Sequence, residues 1–328
     1  MPGFKALVID HIDGKVAAGI KRLEVKDLPE GELLIRVAYS SVNYKDALAC
    51  KAGGGVVKSY PFVPGIDLAG TIVASEDDGF RPGEQIIVTG YGLGVIHYGG
   101  YSEYARVPAE WAVKLPENLT MKEAMILGTA GFTAGLSVYE LQQSGIRPED
   151  GPILVTGATG GVGSVAAAIA AKLGYEVAAS TGKADKSGYL RELGVKRILA
   201  REELGAGAKK ALDKQRWAGA IDCVGGETLA ALLSQMKYGG VVAASGLTGG
   251  SGLPATVFPF IIRAVRLIGI DSVMAGMDKR LKVWELLAGE YKPSVLGELF
   301  TEIGLEQVSA HVDALLAGRS SGRVIIKL

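Results

Sequence analysis

The stretch ILVTGATGGVGS, residues 153–164, decides how the middle of this 328-residue chain folds. A short apolar run leads into a turn that holds four glycines, and an alanine-rich segment follows. Glycine takes backbone angles that other residues avoid and lets a phosphate come close, while a helix N-terminus offers free N–H groups to an anion. The first glycine of the usual G-x-G-x-x-G pattern is Ala158 here, a change of one methyl. We predict a strand–turn–helix unit that binds the diphosphate of a dinucleotide, against the alternative of a purely structural turn.

Apolar runs and helix-like segments alternate on both sides of this unit. We expect strands at Ile153–Thr156, Glu176–Ser180, Arg197–Leu199, Ala220–Cys223, Val241–Ala244 and Leu267–Ile270, and helices at Val162–Leu173, Asp185–Leu193 and Glu227–Met236. Continuous apolar strands separated by helices are typical of a parallel sheet covered on both faces. The pattern predicts an α/β fold with a doubly wound, Rossmann-type domain over residues 125–298.

The N-terminal part follows a different pattern. Short strands are expected at Lys5–Ile9, Glu32–Tyr39, Thr71–Ser75 and Gln85–Thr89, with turn signals such as Asp13-Gly14 between them. The tail Gly322–Leu328 reads as one more strand that returns to this region. We predict a second, mostly β domain formed by residues 1–124 and 299–328.

Composition narrows the classes of function. Lys and Arg together number 35, as do Asp and Glu, so no basic field indicates a nucleic acid or an anionic membrane as partner. The chain has two cysteines, too few for a disulfide framework, and its first residues lack the pattern of a signal peptide. We expect a cytoplasmic protein that acts on a small molecule.

The end of the second predicted strand indicates which dinucleotide binds. An NAD site usually carries a carboxylate about 20 residues past the glycines, where it holds the ribose 2′-hydroxyl. This chain has Ser180-Thr181-Gly182-Lys183 there, and a cation with hydroxyls suits a 2′-phosphate. The sequence therefore favours NADP over NAD, with Arg201 as a further cation. The alternative is that Lys183 and Arg201 are solvated surface residues.

Metal chemistry is not expected. His11, His97 and His311 lie far apart, and none has a Cys or His at ligand spacing. A lone histidine such as His97 is more often structural than catalytic. Tyr44 follows a predicted strand and offers a hydroxyl, although its segment also fits an ordinary strand-to-helix junction. Residues 62–70 are interpreted as a tight buried turn that packs the domain.

Six segments together resemble the medium-chain dehydrogenase/reductase superfamily, in its zinc-free quinone oxidoreductase-like branch and its acryloyl-CoA reductase-like subfamily. They are SSVNYKDAL (40–48), PGIDLAGT (64–71), GTAGFTA (128–134), VTGATGGVG (155–163), QRWAGAID (215–222) and LIGIDS (267–272). Zinc-dependent relatives carry a ligand cysteine near Asn43, a Gly-His-Glu run where this chain has Gly65-Ile66-Asp67, and a four-cysteine zinc lobe. These departures agree with the missing metal ligands.

The resemblance implies a GroES-like domain completed by the tail, a Rossmann domain inserted into it, and a homodimer formed near the sixth strand of the Rossmann sheet. It also implies the NADPH contacts. These map onto Tyr44 beside the nicotinamide; Thr159, Gly160, Gly161 and Val162 on the diphosphate; Thr181, Gly182, Lys183 and Arg201 at the 2′-phosphate; and Leu247, Ile261, Ser272 and Arg323 elsewhere. Arg323 is also plausible physically, because a returning tail can bring a guanidinium to the cofactor cleft.

The expected activity is NADPH-dependent reduction of the alkene in an α,β-unsaturated acyl thioester such as acryloyl-CoA, with Tyr44 as the candidate proton donor. A quinone or enone reductase of the same fold is the first alternative. A zinc alcohol dehydrogenase and a non-catalytic NADPH-binding sensor or structural protein are the others. The first measurement to separate them is turnover with thioesters against quinones.

Overall fold

The computed structural model describes residues 3–12, 15–51, 53–204 and 210–328, so the predicted turn at Asp13-Gly14 lies outside the described residues. The chain divides into two compact units. The first comprises Met1–Thr129 with Leu299–Leu328, and the second comprises Ala130–Glu298. The sequence placed the first boundary after residue 124, whereas these units part after Thr129.

The described strands are β1 Phe4–Ile12, β2 Lys15–Leu23, β3 Leu33–Val42, β4 Asp67–Ser75, β5 Gln85–Thr89, β6 Tyr104–Val107, β7 Ala112–Lys114, β8 Ile153–Thr156, β9 Val177–Thr181, β10 Arg197–Ala200, β11 Trp217–Asp222, β12 Met236–Ala244, β13 Arg266–Gly269, β14 Phe300–Gly304 and β15 Arg323–Lys327. The described helices are α1 Tyr44–Ala49, α2 Met121–Gln143, α3 Gly161–Lys172, α4 Ser187–Glu192, α5 Gly226–Ser234, α6 Phe258–Arg263, α7 Met277–Ala288 and α8 Val308–Leu316.

The second unit is built on a six-stranded parallel sheet in the order β10-β9-β8-β11-β12-β13. Helices α3, α4, α5 and α6 follow β8, β9, β11 and β12 along the chain. Because β8 has β9 on one side and β11 on the other, the strand order reverses at β8. This is the doubly wound arrangement that the sequence predicted, and its ligands bind at the carboxyl ends of the strands beside the reversal.

The first unit contains a seven-stranded sheet in the order β14-β15-β3-β4-β5-β7, with β6 also paired to β3. Its pairs are antiparallel except β14 with β15. Strands β1 and β2 form a separate antiparallel pair. The predicted return of the tail is confirmed, because β15 pairs with β3 between Val324–Lys327 and Tyr39–Val42.

Helix α2 was not predicted from the sequence. It is the one described helix long and apolar enough to cross a membrane by length and composition, but 83% of its most apolar window is buried inside the protein. A helix that is apolar and buried around most of its circumference shows no clear amphipathic stripe, which is why periodicity did not reveal α2. The helix is interrupted at Gly128, whose φ of 52° and ψ of −157° are not helical.

Candidate active site

The glycine turn between β8 and α3 adopts the form that its sequence predicts. Gly157 has a φ of 58°, where a residue with a side chain would be strained. A Cβ at Gly163 would lie 2.4 Å from the carbonyl oxygen of Gly157, so the helix packs directly on the turn. Helix α3 begins at Gly161, and its N-cap residue Gly160 has no side chain with which to cap it. The first turn can therefore direct N–H groups at an anion.

The end of β9 lies beside this turn. The hydroxyl oxygens of Thr159 and Thr181 are 3.2 Å apart, and the N–H of Lys183 donates to the Thr181 hydroxyl at 3.0 Å. A Cβ at Gly182 would lie 2.8 Å from Nη2 of Arg201, so that guanidinium rests against the backbone of Gly182. The structure thus brings together the residues predicted for the diphosphate and for the 2′-phosphate.

Partial burial lowers the pKa of Lys183, with a smaller effect of Lys186 in the same direction and an opposing one from Asp185. A lysine side chain is ordinarily protonated at neutral pH, because its usual pKa is about 10.4. Arginine is protonated at any pH the protein meets. Two cations therefore lie at the strand end where an NAD site would hold a carboxylate.

The end of β11 carries a buried carboxylate that sequence reasoning did not single out. Asp222 accepts hydrogen bonds from the Thr156 hydroxyl at 2.6 Å and from the N–H of Gly225 at 2.8 Å. Burial raises the pKa of Asp222. The next residue, Cys223, has a pKa raised to about 12, chiefly by burial and secondly by Asp222, so its thiol is unreactive at neutral pH. These contacts fix the carboxyl end of β11 beside the glycine turn.

The remaining predicted residues of the second unit lie after β12 and β13 or on α6. Leu247 follows β12 and is exposed, and Ile261 on α6 is 75% exposed. Ser272 follows β13, and its carbonyl oxygen accepts a hydrogen bond from the buried guanidinium of Arg280 at 3.1 Å. Their role in cofactor binding stays a prediction.

In the first unit, Tyr44 is the first residue of α1, and 46% of it is exposed. The preceding residue, Asn43, and the buried Asp46 cap this helix. The N–H of Asn43 donates to Asp46 at 2.9 Å, and the second carboxylate oxygen of Asp46 accepts the N–H of Ile66 at 2.9 Å. This cap fixes the start of α1 and therefore the direction in which Tyr44 leaves the backbone.

The stretch 62–70 does more than pack the domain, because it contributes Asp67 to a buried polar cluster. The Asp67 carboxylate accepts hydrogen bonds from the Ser41 hydroxyl at 2.5 Å, from Nδ2 of Asn43 at 2.7 Å and from the N–H of Thr129 at 2.9 Å. The Thr129 hydroxyl donates to the other carboxylate oxygen at 2.5 Å. We call Ser41, Asn43, Asp67, Thr129 and Arg323 the Asp67 cluster.

Arg323 enters the Asp67 cluster from β15. Its Nη2 donates to the Ser41 hydroxyl at 2.9 Å, its Nη1 to Oδ1 of Asn43 at 3.2 Å and its Nε to the carbonyl oxygen of Ile126 at 2.8 Å. The side chain is buried. The returning tail does deliver a guanidinium next to the residue that precedes Tyr44, and direct contact of Arg323 with a cofactor stays a prediction.

Within the described residues, no group of three or more His, Cys, Asp or Glu side chains is placed to hold a metal ion. Nε2 of His97 lies 2.7 Å from the carbonyl oxygen of Arg106, and burial lowers the pKa of His97. This contact of the ring with the backbone fits the structural role that the sequence favours for His97. Cys50 and Cys223 are free thiols.

Two protein-family models match the chain, one in the first unit and one in the second. Residues 29–117 match the alcohol dehydrogenase GroES-like domain, and residues 161–288 match the family described as zinc-binding dehydrogenase. The chain belongs to the medium-chain dehydrogenase/reductase superfamily of oxidoreductases, in its quinone oxidoreductase-like branch.

Close relatives cover the whole chain. The acrylyl-CoA reductase AcuI of Ruegeria pomeroyi is 49% identical over 325 residues, 98% of each chain. The Bacillus subtilis protein YhfP, whose name places it among the quinone oxidoreductases, is 51% identical over 326 residues. Its crystal structure with NAD bound has a TM-score of 0.98 and covers 100% of both chains. The yhdH oxidoreductase of Salmonella enterica in complex with NADP is 48% identical, with a TM-score of 0.96 and 99% coverage of both chains.

Proposed function

We propose that this protein is an NADPH-dependent reductase of the carbon–carbon double bond in α,β-unsaturated acyl thioesters of the acryloyl-CoA type. The observation that carries the cofactor assignment is the guanidinium of Arg201 against Gly182, with Lys183 next to it, at the end of β9. The substrate class rests on the 49% identity, over nearly the full length, to the Ruegeria pomeroyi acrylyl-CoA reductase.

The residues of the second unit fit a phosphorylated dinucleotide. Helix α3 packs directly on the turn because Gly163 has no side chain to strike the backbone of Gly157, and the first N–H groups of α3 are the ones that would bind a diphosphate. In the proposed complex, Thr159, Gly160, Gly161 and Val162 hold the diphosphate at the N-terminus of α3. Thr181, Gly182, Lys183 and Arg201 hold the 2′-phosphate, and Leu247, Ile261 and Ser272 contact the rest of the cofactor. Residues 125–298 thus form the NADPH-binding domain, and residues 1–124 with 299–328 form the substrate domain.

The choice between the two nicotinamide cofactors is a testable part of this proposal. The structure of YhfP was solved with NAD, whereas the Salmonella protein was solved with NADP. A 2′-phosphate gains charge-assisted hydrogen bonds from two cations, and a bare 2′-hydroxyl gains little from them. We therefore propose NADPH as the cofactor of this chain.

Reduction of a conjugated alkene adds a hydride at the β-carbon and a proton at the α-carbon. When bound, NADPH supplies the hydride. The chain itself has to orient the alkene and hold a proton near the α-carbon, and correct orientation alone can supply a large part of the rate. Tyr44 is the proposed proton donor, because it carries an O–H on a helix end that the Asn43–Asp46 cap holds in place.

The hydrogen bonds of the Asp67 cluster hold the start of α1, where Tyr44 lies, in place. Asn43 donates to Asp67 and accepts from Arg323, so both ends of its amide are hydrogen-bonded. These bonds lock the residue that precedes Tyr44. In the proposed mechanism Arg323 and Asp67 act by positioning α1, and Arg323 also borders the nicotinamide.

Two other functions remain as alternatives. A quinone or enone reductase of the same fold is favoured by the name of YhfP, the relative with 51% identity. A non-catalytic NADPH-binding sensor would need the same cofactor residues and no proton donor. Both are distinguished from the thioester reductase by substrate tests.

A homodimer in the cytoplasm is the proposed state of the protein. Strand β13 is at the edge of the six-stranded sheet, and the segment before it in the chain exposes four apolar residues, which are Val257 and, on α6, Phe258, Ile261 and Ile262. Several exposed apolar side chains on one short segment are typical of an interface, and a second copy of the chain is the proposed occupant. The two free cysteines suit a reducing compartment.

The first experiment measures oxidation of NADPH with acryloyl-CoA, next to NADH and a simple quinone as controls. Rapid turnover of the thioester with a strong preference for NADPH is expected. Turnover of quinones without turnover of the thioester would replace the proposal with the quinone reductase. Tight NADPH binding without oxidation by any acceptor would favour the sensor.

A further inference from the structure

Asp222, the last residue of β11, uses both of its carboxylate oxygens to hold neighbouring groups. Its side chain is fully buried, and so is that of Thr156, the last residue of the adjacent strand β8. The Thr156 hydroxyl accepts the N–H of Cys223 at 3.0 Å, so its own hydrogen goes to Asp222 at 2.6 Å. The other carboxylate oxygen accepts the N–H of Gly225 at 2.8 Å. Because an amide carries an NH2 group in place of one oxygen, only a carboxylate matches both donors.

The turn that follows, residues 223–225, contacts the glycine turn of the dinucleotide site. We call it the β11 turn. A Cβ at Gly157 would lie 3.3 Å from Cγ2 of Val224 and 3.4 Å from Cβ of Cys223, so the two turns pack against each other. The β11 turn therefore lies at the edge of the sheet where the strand order reverses, which is the edge that binds ligands in this kind of sheet.

The order of the strands gives the cofactor a direction across this edge. In the proposed complex the 2′-phosphate lies at the end of β9 and the diphosphate at the end of β8. Strands β11 and β12 come next, on the side of β8 that faces away from β9. Because a dinucleotide binds across the crevice at the reversal, its nicotinamide half continues toward the carboxyl ends of β11 and β12.

The loop after β12, residues 245–250, is hydrogen-bonded to the end of β11 and to the β11 turn. We call it the β12 loop. The N–H of Ser245 donates to the carbonyl oxygen of Asp222 at 2.9 Å. The N–H of Gly249 donates to the carbonyl oxygen of Val224 at 2.7 Å. Both ends of the β12 loop are thus fixed by the backbone that Asp222 holds.

Close backbone packing joins the β12 loop to the β11 turn between these two hydrogen bonds. A Cβ at Gly246 would collide with the backbone of Cys223. A Cβ at Gly225 would lie 2.9 Å from the carbonyl oxygen of Gly246 and 3.2 Å from Cα of Leu247. Two backbones in such contact cannot shift independently. The position of Leu247, a residue predicted to contact the cofactor, therefore depends on the position of the β11 turn.

We propose that Asp222 is a positioning residue for hydride transfer, which holds the β11 turn and, through it, the β12 loop as the wall beside the nicotinamide. This inference rests on the proposed function. Asp222 acts through other groups, because its buried carboxylate holds the Thr156 hydroxyl and the N–H of Gly225. A fixed wall sets the distance and direction between nicotinamide and alkene, on which the rate of hydride transfer depends.

The test changes the hydrogen bond between Asp222 and Thr156 from both sides. Asp222→Asn and Thr156→Val each break it, whereas Thr156→Ser keeps the hydroxyl. Thr156→Val preserves the shape of the side chain and carries the test even where Asp222→Asn fails to fold. Asp213→Asn is the matched control, because Asp213 precedes the amino end of the same strand and its carboxylate accepts the N–H of the adjacent Lys214 at 2.8 Å.

Three quantities are measured: the Kd for NADPH, the Kd for 2′,5′-ADP, which has the 2′-phosphate and no nicotinamide, and kcat with acryloyl-CoA. Asp222→Asn and Thr156→Val should raise the Kd for NADPH about tenfold and lower kcat about tenfold, the size expected for a buried hydrogen-bonding group left unpaired. The Kd for 2′,5′-ADP should stay within about twofold, because that ligand ends before β11. Thr156→Ser should recover most of the loss, and Asp213→Asn should match the wild type.

Hydrogen exchange followed by mass spectrometry tests the connection between the two segments without any cofactor. A peptide that covers the β12 loop should take up deuterium faster in Asp222→Asn and Thr156→Val than in the wild type, because the N–H groups of Ser245 and Gly249 lose part of their protection. A peptide from α4, which lies after β9, should exchange at the wild-type rate in both variants.

Equal rises in the Kd for NADPH and for 2′,5′-ADP would overturn the inference, because the effect would not be confined to the nicotinamide half. It would also be overturned if both bond-breaking variants kept the wild-type Kd for NADPH and the wild-type kcat, or if exchange of the β12 loop did not change. A wild type that binds NADPH and reduces no thioester would refute the proposed substrate, and the two Kd values would still test the role of Asp222.

Discussion

At the scale of single residues, the cations at the end of β9 carry the most specific chemistry. Lys183→Glu should raise the Kd for NADPH about 10- to 100-fold, because a charge-assisted hydrogen bond is lost and a repulsion is added. The Kd for NADH should change by less than about threefold. Fluorescence titration of both cofactors checks this. Lys186→Glu is the control, because Lys186 lies one turn away in an exposed pair with Asp185. Equal losses for the two cofactors would contradict the role given to Lys183.

Tyr44 offers a second test at the same scale. Tyr44→Phe removes one hydroxyl from an exposed position and leaves the cap of α1 intact. If this O–H delivers the proton, kcat with acryloyl-CoA should fall about 100-fold or more, within the usual range for a general acid. The Kd for NADPH should stay within about twofold. Steady-state kinetics and cofactor titration measure the two quantities, and an unchanged kcat would assign the proton to another group or to water.

At the scale of elements, the break in α2 is the feature with the clearest physical cause. Gly128 leaves the helical conformation, and the N–H and hydroxyl of the next residue, Thr129, are both used to hold Asp67. A carboxylate at the restart of a helix is also favoured by the helix dipole. The interruption therefore frees the backbone N–H of Thr129 to donate a hydrogen bond to the buried Asp67 carboxylate.

Gly128→Ala tests this account. A Cβ there would lie 2.6 Å from the Asp67 carboxylate and 2.8 Å from Arg323, at a φ of 52°. We expect the free energy of unfolding to fall by about 3 kcal/mol, from backbone strain and overpacking together. Urea unfolding followed by tryptophan fluorescence measures it. Gly188→Ala in α4, where a Cβ would meet nothing within 4 Å, should change stability by less than about 1 kcal/mol. Equal changes in the free energy of unfolding for the two substitutions would refute the strain expected at residue 128.

The cap of α1 makes stability depend on pH. Burial, and secondly the charge of Asp67, raise the pKa of Asp46 from 3.8 to about 7. Between these two pH values the folded protein holds a proton that the unfolded chain has released. The contribution of Asp46 to stability is therefore full below about pH 4 and is lost as the pH rises toward 7.

Asp46→Asn removes this titration while keeping an amide that can cap the helix. The free energy of unfolding of the wild type should fall from pH 5 to pH 7 more steeply than that of the variant. Denaturant unfolding at a series of pH values gives both curves. Parallel curves would show that Asp46 does not titrate in this range.

At the scale of the whole molecule, the proposed homodimer depends on the exposed apolar residues of the segment 257–262, which precedes β13 in the chain. Ile261→Glu places a charge at the most exposed position of α6 and should convert the dimer to a monomer at micromolar concentration, because an unpaired charge in an interface is costly. Tyr238→Glu is the control, since Tyr238 is also 75% exposed but lies on β12. Sedimentation velocity reports the mass. A dimeric Ile261→Glu protein would exclude this surface as the interface.

Much of the second unit could be predicted from the sequence because its signals are local. The strand at Ile153–Thr156 was predicted to the residue, and the parallel sheet followed from the alternation of apolar runs and helices. Lys183 at the end of β9 could be predicted because its position lies a fixed distance past the glycines, whereas Arg201 follows β10 and its guanidinium reaches Gly182 only in the folded sheet. Each of these features depends on residues within about one strand–turn–helix unit.

The Asp67 cluster and the break in α2 were decided only by the tertiary structure. Asn43 and Asp67 are 24 residues apart in the chain, and Ser41 and Arg323 are 282 residues apart, so no local pattern shows that they meet. Helix α2 is buried over most of its length and lacks the amphipathic period by which helices are found. The sequence by itself therefore determined the nucleotide fold and its preference for a phosphate. The packing of distant segments determined how Tyr44 is held, because hydrogen bonds between buried polar groups form only once the sheet has brought them together.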